Sequence, residues 1–388
     1  MRSACSANEA RGALSDLSGG RLGKYEILQR LGAGAMGVVY LAYDPAIGRR
    51  VAVKTIRKDL LDEATAATVS ARFRNEAMAA GRLTHPGIVA IYDFGESDET
   101  AYIVMEYAPG EDLQRYASAR RITLFEIRML MTQLLDALEH AHQAGIVHRD
   151  IKPTNLLVAD RLKVTDFGIA RIASSQLTRT GAVIGTPAYM APEQYRGAGV
   201  DHRVDLFASG VILYELLTGH TPFRAESLEE MAYKVCHTAH VPATQIRPEL
   251  PRAVDGLLAR ALAKNSHERF ASAREFARDI EAAFRAPGAA AELAFDPTAF
   301  AGIPSSSGNE SGALSRSSVP SLRAATNVAP EAIERITTTL AKYVGPIATV
   351  MVKKAAADAV TYRDLCVAVG ARLSAEEKPA FLRELGVE

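Results

Sequence analysis

One short stretch constrains this chain more than any other: residues 146–158, IVHRDIKPTNLLV. Between two short apolar runs it places five polar residues within eight positions: His148, Arg149, Asp150, Lys152 and Asn155. Polar groups this dense are costly to bury, so a fold that keeps them near its core is expected to use them. A polar turn between two strands is the simpler interpretation. The choice between the two depends on whether the rest of the chain supplies partners.

The length and composition of the chain limit the classes of protein to which it could belong. At 388 residues the chain exceeds one ordinary domain of roughly 100–200 residues. The formal net charge of +0 gives no reason to expect nucleic acid or an anionic membrane as partner. Cys5, Cys236 and Cys366 lie far apart, which predicts no disulfide framework or metal cluster and fits a reducing cytoplasm. No apolar run reaches the ~18–20 residues of a membrane helix, so we expect a cytoplasmic protein without a membrane span.

The first part of the chain has the pattern of strands. Residues 1–24 are small, polar and Gly-rich, which predicts a flexible N-terminal arm. From Tyr25 to about Asp98 the segments GVVYLAYD and RRVAVKTI are rich in β-branched residues. One helical pattern, ARFRNEAMAAGRL, interrupts them. The expected structure is a small, mostly antiparallel sheet with one packed helix.

The remainder has the pattern of helices. TLFE at 123–126 predicts a helix with a capping box, and DHRVDLFASGVILYELLTG predicts a buried helix. Residues 288–327 are rich in Ser, Pro, Gly and Ala, which predicts a disordered linker. Residues 328–388 predict a small helical C-terminal domain. The fold class is therefore α+β, followed by a linker and a small all-α domain.

A glycine-rich segment, LGAGAMGVVY, places Gly32, Gly34 and Gly37 between two predicted strands. Glycines let backbone N–H groups approach an anion without a side chain in the way. The pattern alone is weak evidence for phosphate binding. The segment connects a strand to a strand, whereas the glycines of a dinucleotide-binding fold connect a strand to a helix. Its position therefore favours a flap that lies above phosphates and argues against a dinucleotide fold.

Charged residues elsewhere supply the partners that the opening stretch needs. Lys54, at the end of VAVK, would ordinarily be a solvated lysine, but with Glu76 as ion-pair partner it could hold nucleotide phosphates. Asp150 could orient a hydroxyl and Lys152 could neutralise a transferring phosphoryl group. Asn155 and Asp166, the latter in VTDFGIA, could hold a metal ion. Phosphoryl transfer asks a protein mainly for positioning and charge neutralisation.

In these motifs the chain resembles the eukaryotic-like (Hanks-type) bacterial serine/threonine protein kinases. The matching segments are GAGAMGVV, VAVK, HRDIKPTN, DFG and APE, in this order, within residues 25–287. The resemblance implies a bilobal protein-kinase fold, with a small β-rich N-lobe carrying one helix, a larger helical C-lobe and ATP in the cleft. It implies Mg²⁺ as cofactor, with Mn²⁺ as a substitute.

The resemblance also assigns roles residue by residue. Met105 would be the gatekeeper, Glu106 to Ala108 the hinge, and Val39, Ala52 and Leu157 the adenine sandwich. The full set of expected ATP contacts is Leu31, Gly32, Ala33, Gly34, Ala35, Met36, Gly37, Val39, Ala52, Lys54, Met105, Glu106, Ala108 and Leu157. Structural roles fall on His148, Arg149, Phe167 and Asp205, and on an ion pair between Glu193 and Arg269.

The resemblance also concerns the substrate and the switch. Lys152 and GTPAYMAPE resemble the corresponding residues of serine/threonine kinases more than those of tyrosine kinases, which implies serine or threonine as acceptor and a role for Thr186 in shaping the substrate groove. Thr178 and Thr180 are the expected autophosphorylation sites, and their phosphates would pair with Arg149. The alternative is that both threonines are ordinary loop residues.

Other functions stay open at this point. A pseudokinase would bind nucleotide and partners without turnover, although every catalytic position is filled. A small-molecule phosphotransferase would not be expected to carry the segment from Asp166 through Glu193. The expected partners are proteins with Ser/Thr, with self-association for trans-autophosphorylation and without nucleic acid. The tail resembles a C-terminal domain of unknown function in bacterial kinases, and either a docking or dimerisation module or a plain cap would fit it.

Overall fold

The computed structural model describes most of the two lobes and part of the tail. The described residues are 17–34, 37–57, 74, 77, 78, 80–96, 100–167, 187–197, 199–285, 330–344, 348, 351, 352, 355, 356, 361–371, 373 and 377–387. The chain divides into two compact units. The first comprises residues 1–81 and 89–109, and the second residues 82–88 and 110–388.

The first unit is built on a six-stranded antiparallel sheet in the order β1-β2-β3-β4-β6-β5. Alternate residues of these strands are apolar and pack into one buried cluster that includes Tyr25, Val38, Val51 and Val104. Arg74, Ala77, Met78 and Ala80 are helical. The predicted β-rich lobe is thus confirmed. The strands are β1 Arg21–Leu22, β2 Tyr25–Gly34, β3 Gly37–Asp44, β4 Arg49–Arg57, β5 Ile91–Glu96 and β6 Thr100–Glu106.

The structure differs from the expected arm at the arm's last residues. Strand β1 pairs with the start of β2, and Leu22 is buried while Leu17 packs against the same apolar cluster. The expectation of a flexible arm over residues 1–24 was therefore wrong for these positions. Two isolated leucines in a Gly-rich segment give no period, so the sequence offered no strand signal.

The second unit is mainly helical, as predicted. Its centre is α4, in which every residue after Arg203 is buried, so this helix lies inside the lobe. A three-stranded sheet, β7 Glu111–Asp112, β8 Leu156–Val158 and β9 Leu162–Val164, flanks the polar stretch. The helices are α1 Leu113–Ala119, α2 Leu124–Gln143, α3 Pro192–Arg196, α4 Arg203–Thr218, α5 Leu228–His237, α6 Ala243–Ile246, α7 Ala253–Ala261 and α8 Ala273–Arg285. Short 3-10 helices span Pro153–Asn155, Pro187–Tyr189 and Ser266–Glu268.

Helix α2 begins at the predicted capping box. The Thr123 hydroxyl accepts from the Glu126 backbone N–H at 3.2 Å, and the Glu126 carboxylate accepts from the Thr123 backbone N–H at 2.7 Å. These two bonds satisfy N–H groups that a helix start otherwise leaves free. The prediction is confirmed.

The described part of the C-terminal segment includes the helices α9 Pro330–Val344, α10 Tyr362–Gly370 and α11 Glu377–Glu384. Its core includes Ile336, Leu340, Leu365 and Phe381, each fully buried. Among the helices that the structure describes, none is long and apolar enough to cross a membrane.

Candidate active site

The glycine-rich segment forms the hairpin between β2 and β3. Gly34 pairs with Gly37, whose φ of 152° lies in a region that side chains rarely adopt. Leu31, Gly32 and Ala33 of the segment are exposed. Ala35 and Met36 lie outside the described residues. A glycine at position 37 is therefore a requirement of the backbone.

The expected adenine and phosphate contacts lie on one face of the N-lobe sheet. Residues directly opposite in an antiparallel pair share a face. Val39 pairs with Lys54, and Ala52 pairs with Met105. Their strand neighbours, such as Val38 and Val53, point to the other face and form the apolar cluster. The register thus gathers these four residues on the face that is not occupied by that cluster.

The expected hinge is fixed through Glu106. Its backbone N–H donates to the Ala90 carbonyl at 2.8 Å, and its carboxylate accepts from the Ala90 N–H at 3.3 Å. Ala108 follows in an irregular segment and is half-buried. In the second unit, Leu157 alternates with the buried Leu156 and Val158 on β8, so its side chain lies on the opposite face.

Asp150, Lys152 and Asn155 form one hydrogen-bonded group. Lys152 Nζ donates to Asp150 Oδ2 at 2.7 Å. Asn155 Nδ2 donates to the same oxygen at 3.1 Å and to the Asp150 carbonyl at 2.8 Å. The Asp150 carboxylate is thereby oriented from one side, which leaves Oδ1 for an incoming hydroxyl. The Asn155 amide nitrogen is committed to Asp150, so its oxygen is the end that could face a cation.

Two residues of this region have a strained backbone. In the part of the chain that the structure describes, Arg149 (φ 68°) and Asp166 (φ 66°) are the non-glycine residues with positive φ. Each such conformation costs of order 1–3 kcal/mol and persists only where its surroundings enforce it. Both positions belong to the motifs predicted to carry the chemistry.

Asp205 of α4 holds the strained segment in place. Its carboxylate accepts from the backbone N–H of His148 at 2.8 Å and of Arg149 at 2.7 Å. His142 of α2 donates a third hydrogen bond at 2.8 Å. Burial alone would raise the pKa of Asp205, but the hydrogen bond and charge of His142, and then His148, outweigh it and lower the pKa. The carboxylate therefore stays ionised inside the lobe.

His148 links the catalytic segment to the DFG motif. Its Nδ1 accepts from the Asp150 backbone N–H at 3.2 Å, so Nε2 carries the proton and donates to the Thr165 carbonyl at 2.8 Å. Its ring lies edge to face with Phe167, with centroids 4.7 Å apart. Both rings are buried. His148 thus contacts residues next to both strained positions: Asp150 beside Arg149, and Thr165 and Phe167 on either side of Asp166.

The ion pair expected between Glu193 and Arg269 is present. Its two bonds are 2.6 and 2.8 Å, and the Arg269 side chain is fully buried. Beside it, Gln194 Nε2 donates to the Arg149 carbonyl at 2.9 Å. Arg149 is therefore held at both backbone polar groups: Asp205 binds its N–H, and Gln194 of helix α3 binds its carbonyl.

Some supporting residues were not predicted from the sequence. His142 and Gln194 had no motif to identify them. Glu215 did have a signal, because a carboxylate within VILYELL must be buried. It accepts from the Tyr189 hydroxyl at 2.7 Å, and burial raises the pKa of Glu215 to about 7.

Several expected site residues lie outside the described residues. They are Glu76, the proposed partner of Lys54, and Thr178, Thr180 and Thr186 between DFG and APE, together with Ala35 and Met36. Their expected roles stay predictions. Lys54 and Asp166 both have interactions within the structure.

The donor set of the second unit fits a hard divalent cation. Asn155 offers an amide oxygen and Asp166 a carboxylate, and Mg²⁺ typically takes one or two carboxylates together with substrate phosphates. Among the described residues, no group of three or more His, Cys, Asp or Glu could hold a metal by itself. Asn155 and Asp166 would hold such a cation together with phosphate oxygens of a bound nucleotide.

Comparison with known families agrees with this geometry. The model of the protein kinase domain matches residues 25–279, and that of a domain of unknown function, DUF8082, matches residues 331–386. The chain belongs to the protein kinase family.

Named relatives and solved structures point the same way. The chain is 42% identical over 268 residues to serine/threonine-protein kinase PrkC of Bacillus subtilis, covering 68% of this chain and 41% of the relative. It is 43% identical over 276 residues to serine/threonine-protein kinase pkn3 of Myxococcus xanthus, covering 67% and 50%. The crystal structure of the Mycobacterium tuberculosis PknI kinase domain matches with a TM-score of 0.56 and 31% identity, over 68% of this chain and 98% of that one. The chain spans half or less of the length of the curated relatives.

Proposed function

We propose that this chain is an ATP-dependent serine/threonine protein kinase, which transfers the γ-phosphoryl group to hydroxyls of proteins. The observation that carries the proposal is the oriented Asp150 carboxylate, held by Lys152 and Asn155 beside a strained Arg149. Relatives about 40% identical are named serine/threonine-protein kinases. A hydroxyl bound at Asp150 would have a carboxylate as its base and the Lys152 ammonium group close by.

In this proposal each residue has one task. Lys54 and Glu76 position the phosphates, and Asp150 orients the hydroxyl and accepts its proton. Lys152 stabilises the charge of the transferring group. Asn155 and Asp166 hold the divalent cation, for which we propose Mg²⁺ with Mn²⁺ as a substitute. When bound, the cation neutralises phosphate charge.

We propose activation by autophosphorylation at Thr178 and Thr180. A phosphate there adds about −1.5 to −2 charges and would pair with Arg149. Arg149 is half-buried and its backbone is held at both ends, by Asp205 and Gln194. Thr186 would shape the substrate groove. Transfer between two copies would require self-association, and the cytoplasm is the expected location.

We further propose the domain boundaries expected from the sequence, with the kinase domain at 25–287, the linker at 288–327 and the C-terminal domain at 328–388. The family matches at 25–279 and 331–386 support them.

A phosphopeptide map of the purified chain with Mg·ATP tests the activity. Wild type is compared with Asp150→Asn, which removes the base, and Lys54→Met, which removes the phosphate contact. Phosphate on Thr178 or Thr180 in the wild type alone is the expected result. Phosphate on Ser174 or Ser175 instead would overturn the assignment of the sites. No phosphate with ATP still bound would favour the pseudokinase.

A further inference from the structure

A cavity of about 280 Å³ lies between helix α5 of the C-lobe and the C-terminal domain. The C-lobe side and the C-terminal domain both contribute to its lining. Six of the lining residues are Arg196, Tyr233, Cys236 and His237 from the C-lobe, and Tyr343 and Met351 from the C-terminal domain. Nothing in the proposed phosphoryl transfer uses them.

The C-lobe side of this cavity is a well-supported helix end. Carbonyls in the last turn of a helix lack partners within the helix. Here Lys264 Nζ donates to the Val235 carbonyl at 2.6 Å, and Arg196 donates to the Cys236 carbonyl at 3.4 Å. The Tyr233 ring stands beside His237 with centroids 5.0 Å apart and remains 41% exposed. A fixed helix end thus presents a large aromatic ring.

The opposite side comes from the packed core of the C-terminal domain. Met351 is 5% exposed, and Tyr343 lies edge to face with the buried Phe381 at 6.0 Å. Tyr343 itself is half-buried. Tyrosine and methionine are enriched at protein interfaces, where both side chains bury a large apolar area.

The connection between the two sides makes this contact feasible within one chain. The linker predicted from the sequence, 288–327, has 40 residues, and a flexible chain of that length in general has an r.m.s. end-to-end distance of about 35 Å. A flexible linker in general gives effective concentrations of order mM, which favours contact within one chain.

We propose that the C-terminal domain docks within the same chain on the surface formed by Arg196 and helix α5, with Tyr343 and Met351 facing Tyr233 and Cys236. Docking at this surface would affect the regulation of the catalytic segment. Helix α3, which ends at Arg196, also carries Gln194, the residue that holds the Arg149 carbonyl. The docked domain therefore covers the outer side of the element that supports the catalytic segment. Any other protein that uses α5 must displace it.

Cross-linking the full-length chain tests the docking without reference to catalysis. Cys236 is kept, Cys5 is replaced by serine, and Met351→Cys supplies the second thiol for a short bismaleimide. The native Cys366 is buried and common to all variants. The expected product is a monomer with one internal link between peptides of α5 and residue 351. Tyr343→Cys is the second variant, in case Met351→Cys fails to fold.

The matched control is Val367→Cys, 44% exposed on α10 and not lining the cavity. It is expected to give no internal link to Cys236. Tyr233→Asp should lower the internal link about ten-fold through loss of an aromatic anchor. Ile246→Asp, at a comparably exposed apolar residue elsewhere on the lobe, should leave it unchanged.

Linked dimers in place of the internal link would mean that the domain meets a second copy, which contradicts docking within the chain. Equal linking by the control thiol, or no linking in either variant, would also overturn it. Because no ATP is added, failure of this proposal is separate from failure of the kinase assignment.

Discussion

At the scale of single residues, the central fact is that a buried aspartate enforces a strained backbone. Asp205 accepts three hydrogen bonds inside the lobe, two of them from the segment that carries Asp150. The rigidity of the base thus depends on a carboxylate that does not itself face a substrate. His142, which donates the third bond, is a positioning residue in this scheme.

Replacing His142 by leucine is expected to lower the free energy of unfolding by about 1.5–3 kcal/mol, the contribution of a hydrogen bond to a charged group. The rate constant for phosphorylation of a protein should fall, while ATP affinity stays unchanged. Urea unfolding and steady-state kinetics measure both. Gln143→Leu is the control, because Gln143 is exposed and bonds to Glu139 on its own helix. Unchanged unfolding and kinetics in His142→Leu would refute the positioning role.

Glu215 is expected to make stability depend on pH. Burial raises the pKa of Glu215 to about 7 in the folded chain from an ordinary 4.5. Between these values the folded state binds the extra proton, so the contribution of Glu215 to stability is greatest below pH 4.5 and is lost as pH rises through 7. The loss is about 3 kcal/mol.

Urea unfolding of wild type and Glu215→Gln from pH 5 to 8 tests this. The glutamine variant should lack the Glu215 contribution, and the difference between the two curves removes other titrating groups. Parallel curves would show that Glu215 is not the cause.

At the scale of elements, helix α2 begins at a side-chain cap and ends near Gly145, whose φ of 75° no longer fits a helix. Thr123→Ala removes the cap and is expected to cost about 1 kcal/mol of stability. The midpoint of urea unfolding measures it. Ser118→Ala, at an exposed hydroxyl inside α1, should change the midpoint far less. Equal shifts in the two variants would contradict the cap.

Elements with a local signal were predictable, and those created by tertiary contacts were not. The capping box of α2 and the apolar run of α4 are each recognisable from a short stretch of sequence. Strand β1 and the sheet β7–β8–β9 consist of two or three residues each, too few to show a period. The position of Asp150 followed from its motif. Its support from His142 and Gln194 did not, since these contacts act through Asp205 and the Arg149 carbonyl, groups that only the folded chain brings together.

At the scale of the whole molecule, a buried ion pair joins separate parts of the large lobe. Arg269 bonds to both oxygens of Glu193 and to the Ala263 carbonyl, and thereby joins α3 to the segment after α7. Arg269→Lys cannot keep the two parallel bonds and is expected to cost about 3–5 kcal/mol, as for a broken buried pair. Thermal unfolding measures it. Arg274→Lys, on an exposed side chain, is the control. A change as small as in the control would show that the pair is dispensable.

Strand β1 has a practical consequence for preparing shorter versions of this protein. The family match begins at Tyr25, which makes that residue the natural choice for a first position. A chain started there would lose Leu17 and Leu22, and would uncover part of the apolar cluster to which Tyr25 and Ile27 belong. Such a protein would be prone to aggregation, because β2 pairs with β3 on one side and would lose, on the other side, the strand with which the structure covers its edge. Starting a few residues before Leu17 keeps that edge closed.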